Sequence, residues 1–479
     1  MHRRTLSRRH LLALTGSSAV AVVLAACGGA APAATPTAAP AKPAEAAKPA
    51  ESKPAAPAAA GAATSAPAAA APAAAPKQAT GEVKVHFRNN DDAKWQDEKF
   101  IPAFNAKNNG LKVVQEILPA QPEYFPKVAA LHATGTIGDV IWASMAGFRS
   151  LAIRKVTRPI DELVAADKYD LADYEKIGIS EMTWEGKLYG MPWGAHAGSS
   201  VLLYNVDMLD RAGVKAAEID SYEKLMAAAQ KLNVVKDGKV DVYGFTPGWA
   251  ATDIFQWMRA YGGNPWDDAG KKVTIKSPES LAGFKAWSEY YANDLAPVAT
   301  SDTIYQQLFA GGRIAMMQSG YQIDWLPGKA IGDKFKWDAV PMPKGPGPNG
   351  KIPTNFTING LTIAAKAKNP EGAWQYLKYL MDQETQIELV KSGAGRPAPR
   401  KAIMDHPELM GKLKGHTIQR PQFSVAQGWL EPANLRIEEA RSLVDQLVGP
   451  ITSKEAKLED KIDDIEKQLQ AVLDKPRAE

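Results

Sequence analysis

The sequence predicts an α/β protein of two lobes, carried behind an N-terminal stretch that builds no core. Three observations carry this reading. First, residues 82–87 alternate in strand fashion, and Arg88-Asn89-Asn90-Asp91-Asp92 follows as a polar loop. A helical pattern then carries Trp95, Phe100, Ile101 and Phe104, and residues 111–118 alternate again. Strand, helix, strand at this spacing makes a parallel unit, whose loops at the carboxyl ends of the strands form a ligand crevice. Second, residues 28–80 are almost wholly Ala and Pro, with no aromatic or large aliphatic side chain, and so cannot fold. Third, about 400 residues remain beyond them, enough for two cores.

In residues 1–26, Arg3, Arg4, Arg8 and Arg9 precede an apolar run from Leu11 to Ala26 without any acidic residue. This reads as an export signal, too short and wrongly flanked for a spanning helix. Ser7-Arg8-Arg9-His10-Leu11-Leu12 resembles a twin-arginine motif, which implies export in the folded state; an Arg-rich signal for the ordinary export route is the alternative. Leu24-Ala25-Ala26-Cys27-Gly28 resembles a bacterial lipobox. Cys27 is the one cysteine of the chain and has no internal disulfide partner, so it reads as the lipidated first residue of the mature protein. The Ala/Pro stretch is then a semi-stiff tether reaching between roughly 40 Å as a coil and roughly 150 Å extended. The excess of 57 basic over 53 acidic residues equals the four signal arginines. The mature chain is therefore near neutral, which removes the charge argument for nucleic acid or a polybasic membrane patch.

Along the folded part, Asn90 and Asp91 are candidates for hydroxyl contacts, or else a turn and a helix cap. Trp142 and Ser144 fall at the end of the next strand. Gly186 and Gly190 bracket a short strand; Trp193, between Pro192 and Gly194, is either a core plug or an exposed platform. Residues 201–204 form an apolar β-prone run, and Asn205 or Asp207 caps the following helix. Residues 217–232 read as a helix capped by Ser221. Residues 242–249 read as a strand ending in a Gly-Trp loop at Trp249, and the helix after it carries Asp253, Phe255 and Trp257. Gly345-Pro346-Gly347-Pro348-Asn349-Gly350-Lys351 imitates a phosphate loop, but Pro346 and Pro348 have no N–H and Pro353 blocks the helix such a loop needs. Residues 457–474 carry Leu458, Ile462, Ile465, Leu469 and Val472 at heptad-like spacing, a helix expected to pack on the second lobe.

Several of these stretches together resemble the family 1 bacterial extracellular solute-binding proteins, relatives of maltose-binding protein. The resemblance rests on Gly138-Asp139-Val140-Ile141-Trp142, Tyr189-Gly190-Met191-Pro192, Val201-Leu202-Leu203-Tyr204-Asn205 and Leu308-Phe309-Ala310-Gly311-Gly312-Arg313-Ile314-Ala315-Met316-Met317. Gly320-Tyr321, Trp337-Asp338-Ala339-Val340-Pro341 and Asn355-Phe356-Thr357-Ile358-Asn359-Gly360 extend it. His196 and Arg211 depart from the family pattern. The resemblance implies a two-lobed periplasmic-binding-protein type II fold with three crossings, near Pro192, Val340 and Arg396. Its implied segments are a signal at 1–26, the lipidated cysteine and linker at 27–80, and the first lobe at 81–191 and 342–395. The second lobe is implied at 192–341 and 396–479.

It also implies that the lobes close over a solute and present it to the two transmembrane subunits of an ABC permease. Tyr321 is the strongest single ligand candidate, with Arg396, Asn355 and Phe356 also expected at the cleft. An aromatic face suits the C–H face of a sugar while neighbouring polar groups take its hydroxyls, so the expected ligand is a carbohydrate, most simply an oligosaccharide. Polyols, glycerol phosphates and iron are alternatives within the family, and a sensory rather than a transport partner uses the same fold. No cofactor or metal is expected, and the protein is expected to be a monomer. The competing class is an extracytoplasmic lyase or glycosidase, using a carboxylate pair such as Asp91 and Asp253. The sequence has no Gly-x-Ser-x-Gly elbow and no histidine pair at zinc spacing to support it.

Overall fold

The computed structural model describes residues 79–476 except 109, 121–122, 299–300, 325–329, 349–355, 393–394, 426–431, 433 and 435. The expected signal, Cys27, the tether and Asn355 lie outside the described residues, and so do the side chains of Asp91 and Tyr321. In chain order the strands are β1 (Gly81–Arg88), β2 (Leu111–Leu118), β3 (Val140–Ser144), the small hairpin β4 (Thr183–Trp184) and β5 (Lys187–Leu188), and β6 (Gly190–His196). They continue with β7 (Val201–Asn205), β8 (Val234–Lys236), β9 (Lys239–Thr246), β10 (Ile314–Ser319), β11 (Trp337–Pro341) and β12 (Thr357–Ile363). Ten of them make two sheets, ordered β2-β1-β3-β12-β6 and β11-β7-β10-β9-β8.

β1 pairs in parallel with both β2 and β3. A parallel pair needs a crossover, supplied between β1 and β2 by a helical run of α1 (Asp91–Trp95), one π turn and α2 (Ile101–Lys107). Val83, Val85 and Phe87 are fully buried, and so is His86 between them, as an inner parallel strand covered on both faces requires. Helices α3 (Tyr124–Thr134) and α4 (Met145–Ile153) flank β3. β12 then runs antiparallel between β3 and β6. In the second sheet β9 and β10 are parallel, and β7 is antiparallel to both β10 and β11. Leu202 joins one apolar cluster, while Val201 and Leu203 join another on the opposite face, the period-two alternation of a strand. Helices α5 (Ala251–Ala260) and α6 (Pro278–Ala292) pack in the first of these clusters.

The chain passes between the sheets at residues 197–200, after β6, and again between β11 and β12. The third passage differs from the expectation at Arg396. Helices α7 (Pro370–Leu380) and α8 (Gln383–Lys391) belong to the first core, and so do Ala398, Ile403, Met404 and Leu409. The segment around Arg396 instead lies along β6: Ala195 N donates to Pro397 O at 2.9 Å. Gly194 permits this, because a Cβ there would stand 3.2 Å from Arg396 O. Helix α9 (Lys414–Val425) touches both lobes, Phe423 in the first core and Ile418 against a cluster of the second sheet. The chain then packs in the main second core at α10 (Ile437–Leu447) and α11 (Leu458–Leu473). In α11, Leu458, Ile462, Ile465, Leu469 and Val472 are all buried there. The described part of the phosphate-loop imitation is a helix cap, with Gly347 N donating to Ala260 O at 2.9 Å.

Candidate functional site

Strand direction sets the site. β1 and β3 end at Arg88 and Ser144; Asn359 of β12 is in register with Ser144, and Thr357 with His196 at the end of β6. Arg88, Ser144, Phe356 and His196 therefore share one edge of the first sheet. In the second sheet β9 and β10 end at Thr246 and Ser319, Ser319 is in register with Val201, and Val201 with Pro341. The chain from His196 to Val201 takes five Cα steps, which reach at most about 18 Å. The crossing thus ties the two sheet edges together there, at the carboxyl ends of the parallel strands, where α/β folds place their ligand sites.

On the first-sheet edge the expected polar contacts Asn90 and Ser144 are occupied within the protein. Asn90 caps α1, its Oδ1 accepting from Ala93 N at 3.0 Å and its Nδ2 donating to Asp92 Oδ2 at 3.0 Å. Ser144 caps α4, its Oγ accepting from Gly147 N at 3.0 Å. Both answer the orphan N–H groups of a helix start. Trp142 is 1% exposed, which removes it as an open platform. Its ring meets Tyr124 edge-on at 5.4 Å and stacks with Phe125 at 6.1 Å, and the Arg88 guanidinium lies 4.4 Å from its centroid, a cation–π distance. Its Nε1 is buried without a hydrogen-bond partner. Trp193 is the core plug rather than the platform: it is 2% exposed and meets Phe87 edge-on at 6.5 Å. Phe356 is likewise core, 1% exposed and 4.8 Å from the Phe423 ring of α9. Arg396 is half-buried. Burial first, and the Arg396 charge second, hold the His196 imidazole well below its ordinary value, so it is neutral at pH 7.

The second-sheet edge is built around the loop from Thr246 to Ala250. Gly248 O accepts from Trp287 Nε1 at 2.9 Å and from the Tyr291 hydroxyl at 2.7 Å, both on α6. Gly248 has φ +79°, and a Cβ there would fall 2.3 Å from Asp253 Oδ2, so only glycine fits. The loop is pinned from behind and presents Trp249, half-buried, with a buried Nε1 that has no hydrogen-bond partner. Asp253 was a ligand candidate but is 6% exposed and engaged. It accepts the Ser199 hydroxyl at 2.8 Å and Ala250 N at 3.3 Å, while Gln256 Nε2 donates to Ser199 O at 3.0 Å. From α9, Gln419 Nε2 donates to Gly198 O at 2.9 Å and to Ser200 Oγ at 3.2 Å. Sequence reasoning missed these clamps on the first crossing, since an isolated Ser or Gln far away in the chain carries no local signal. It also missed Phe125 and Asp324. Asp324 closes the short helical turn from Tyr321 that follows Gly320.

Among the described residues no group of three or more His, Cys, Asp or Glu side chains is placed to hold a metal ion. A separate open groove of about 650 Å³ is lined by Gln383, Ile387, Lys391 and His406; none of these stands at either strand edge. No helix among the described residues is long and apolar enough to cross a membrane.

Three similarities place this arrangement. A binding protein of Brucella abortus is 23% identical over 356 residues, 72% of this chain and 84% of that one. The maltotriose-binding protein of Pyrococcus abyssi is 22% identical over 259 residues, 52% of each chain. An ABC substrate-binding protein from Listeria monocytogenes, solved in complex with cycloalternan, superposes with a TM-score of 0.69 at 19% identity, covering 82% of this chain and 99% of that one. Residues 99–412 match the family described as bacterial extracellular solute-binding protein. With two sheets joined at a short crossing and most of its length inside that match, the chain belongs to the bacterial extracellular solute-binding protein family.

Proposed function

We propose that this protein captures a carbohydrate, most simply an oligosaccharide, between its two lobes and delivers it unaltered to an ABC permease. The observation that carries the reading is the pair of strand edges tied together by residues 197–200. The rigid Gly248–Trp249 corner stands on one of them and the Arg88–Trp142 pair on the other. A ligand touched by both edges stabilises the closed arrangement over the open one, and closure is then the signal a permease reads. The half-buried Trp249 indole suits the C–H face of a sugar, whose hydroxyls take neighbouring hydrogen-bonding groups. The similar proteins named for maltotriose and solved with cycloalternan support the same ligand class. Trp249, Tyr321, Arg396 and Asn355 are the ligand contacts of this proposal. Asp253, engaged with Ser199 and Ala250, is a clamp on the crossing rather than half of an acid–base pair. In this reading the chain works outside the cytoplasm, held to the membrane by lipid on Cys27 and exported by the twin-arginine or the ordinary route.

The test is a thermal-shift panel of mono- and oligosaccharides, polyols, glycerol phosphates and iron, with product analysis of every hit. A ligand at 100 times its dissociation constant adds about 2.7 kcal/mol of apparent stability. The expected result is an unmodified oligosaccharide that raises the melting temperature. Cleaved product overturns the non-enzyme reading, and stabilisation by polyols, phosphate esters or iron alone overturns the oligosaccharide.

A further inference from the structure

We propose that helix α9 is a strut coupling the turn of residues 321–324 to the first crossing, with Asp324 as the latch that joins helix and turn. The proposal rests on the two-lobed fold and not on the carbohydrate reading. Successive residues of α9 hold different parts of the molecule. At its start, Asp324 Oδ1 accepts from Gly415 N at 2.6 Å and Oδ2 from His416 N at 2.9 Å. These N–H groups belong to the first turn of a helix, where they have no intrahelical acceptor, and a carboxylate is the side chain suited to them. One turn on, Ile418 packs against the cluster of the second sheet that contains Ile323 of the same turn. Gln419 donates to Gly198 O and Ser200 Oγ on the crossing.

The other stripe of α9, at i, i+4 and i+7, faces the first lobe. His416 Nε2 lies 2.7 Å from Met404 O; Arg420 bonds Asp405 at 2.5 and 2.8 Å and pairs with Glu175 at 3.1 Å; Phe423 packs on Phe356. A helix fixed to the first lobe along one stripe, and to the crossing and the second-lobe turn along the other, cannot follow both lobes without transmitting force between them. A change in the angle between lobes therefore reaches the turn carrying Tyr321 through Asp324, and a change at that turn reaches the crossing by the same path, since coupling is reciprocal.

The latch also responds to pH. Burial outweighs the backbone N–H groups of Gly415, His416 and Lys414 and raises the Asp324 carboxyl to about 6. The buried, latched carboxyl thus binds its proton more tightly than an exposed one, so the latch is firmer below pH 6 and looser above it. The charged and titratable groups that face it come from α9, β11 and the first lobe. Lys414 is ion-paired with Asp338 of β11. Burial pushes the His416 imidazole below its ordinary value, and the Arg420 bond lowers the Asp405 carboxyl. Glu175 pairs with Arg420 from the first lobe.

Hydrogen–deuterium exchange of the ligand-free full chain tests the strut, with rates corrected for the intrinsic pH dependence. Its reporters are peptides containing the Ile323 amide, bonded to Gly320 O, and the Met342 amide, bonded to Ser200 O. At pH 7.5, Asp324→Ala is expected to raise exchange about tenfold or more at both reporters, the scale of losing charge-assisted hydrogen bonds. Gln419→Ala, acting from the other end, is expected to raise exchange at Ile323 as well, and it serves if the first variant fails to fold. In the wild type both reporters exchange more slowly at pH 5 than at pH 7.5, and Asp324→Asn removes that difference. A rise confined to residues 414–416 in the first variant overturns the coupling, as does an unchanged Ile323 reporter in Gln419→Ala. Because no ligand is present, either result is independent of which solute the cleft takes.

Discussion

Single residues divide the aromatic candidates into two kinds. Trp142 is sealed among Phe87, Tyr124 and Phe125, so truncating it removes core volume; Trp249 stands half-buried on a pinned loop. Trp142→Ala is expected to lower unfolding stability by about 3–5 kcal/mol, read from denaturant melts. Trp249→Ala is expected to destabilise less and to weaken carbohydrate binding more, and the reverse ranking would remove Trp249 from the site. Asp324 gives a pH signature. Its folded value of about 6 exceeds its ordinary 3.8, so the folded chain binds the extra proton. Stability from this group is full below pH 4 and is lost as pH rises through about 6. The loss is at most about 3 kcal/mol for a shift of roughly two units. Asp324→Asn is expected to flatten that part of the stability profile, measured by melts from pH 4 to 7.5; an unchanged slope would mean the carboxyl titrates as if exposed.

Elements were legible wherever the pattern was local. The alternation of residues 82–87 became β1, the apolar run at 201–204 became β7, and the heptad-like spacing of 458–472 became the buried face of α11. The third crossing was not legible, because a Gly/Pro-rich stretch such as 392–397 marks a passage between lobes and a loop laid along β6 equally well. What separates them is the Ala195–Pro397 bond, a contact between distant segments. The caps explain the polar candidates in the same way. Asn90 and Ser144 sit where strands end and helices begin, so a cleft position and a cap position coincide in sequence, and the structure shows the oxygens bonded to N–H groups. At this scale α4 is joined to the helix of residues 176–181 by Arg149 and Glu181, 3.5 Å apart, with Glu181 fully buried. Arg149→Leu, which takes the cation from a buried carboxylate, is expected to cost about 3–5 kcal/mol. The double replacement Arg149→Leu/Glu181→Leu is expected to recover most of it; additive losses in a double-mutant cycle would show that the two act separately.

For the whole molecule, family membership was readable because several loose motifs occur in order, each at a strand end or turn where the fold restricts the residue type. The ligand was not, because the sequence locates aromatic residues without saying which are sealed in cores. The central claim is that two lobes close over a solute. Ile117 on β2 and Val235 on β8 stand exposed on the edge strands of the two sheets, which makes them sites for a pair of spin labels, Ile117→Cys and Val235→Cys, in a Cys27→Ser background. The decisive measurement is the distance distribution between these labels with and without the oligosaccharide that gives the largest thermal shift. A shift of the whole distribution to one new, narrower population is the predicted result. Saturating, stabilising binding with an unchanged distribution would contradict closure and reduce the crevice to a rigid docking surface.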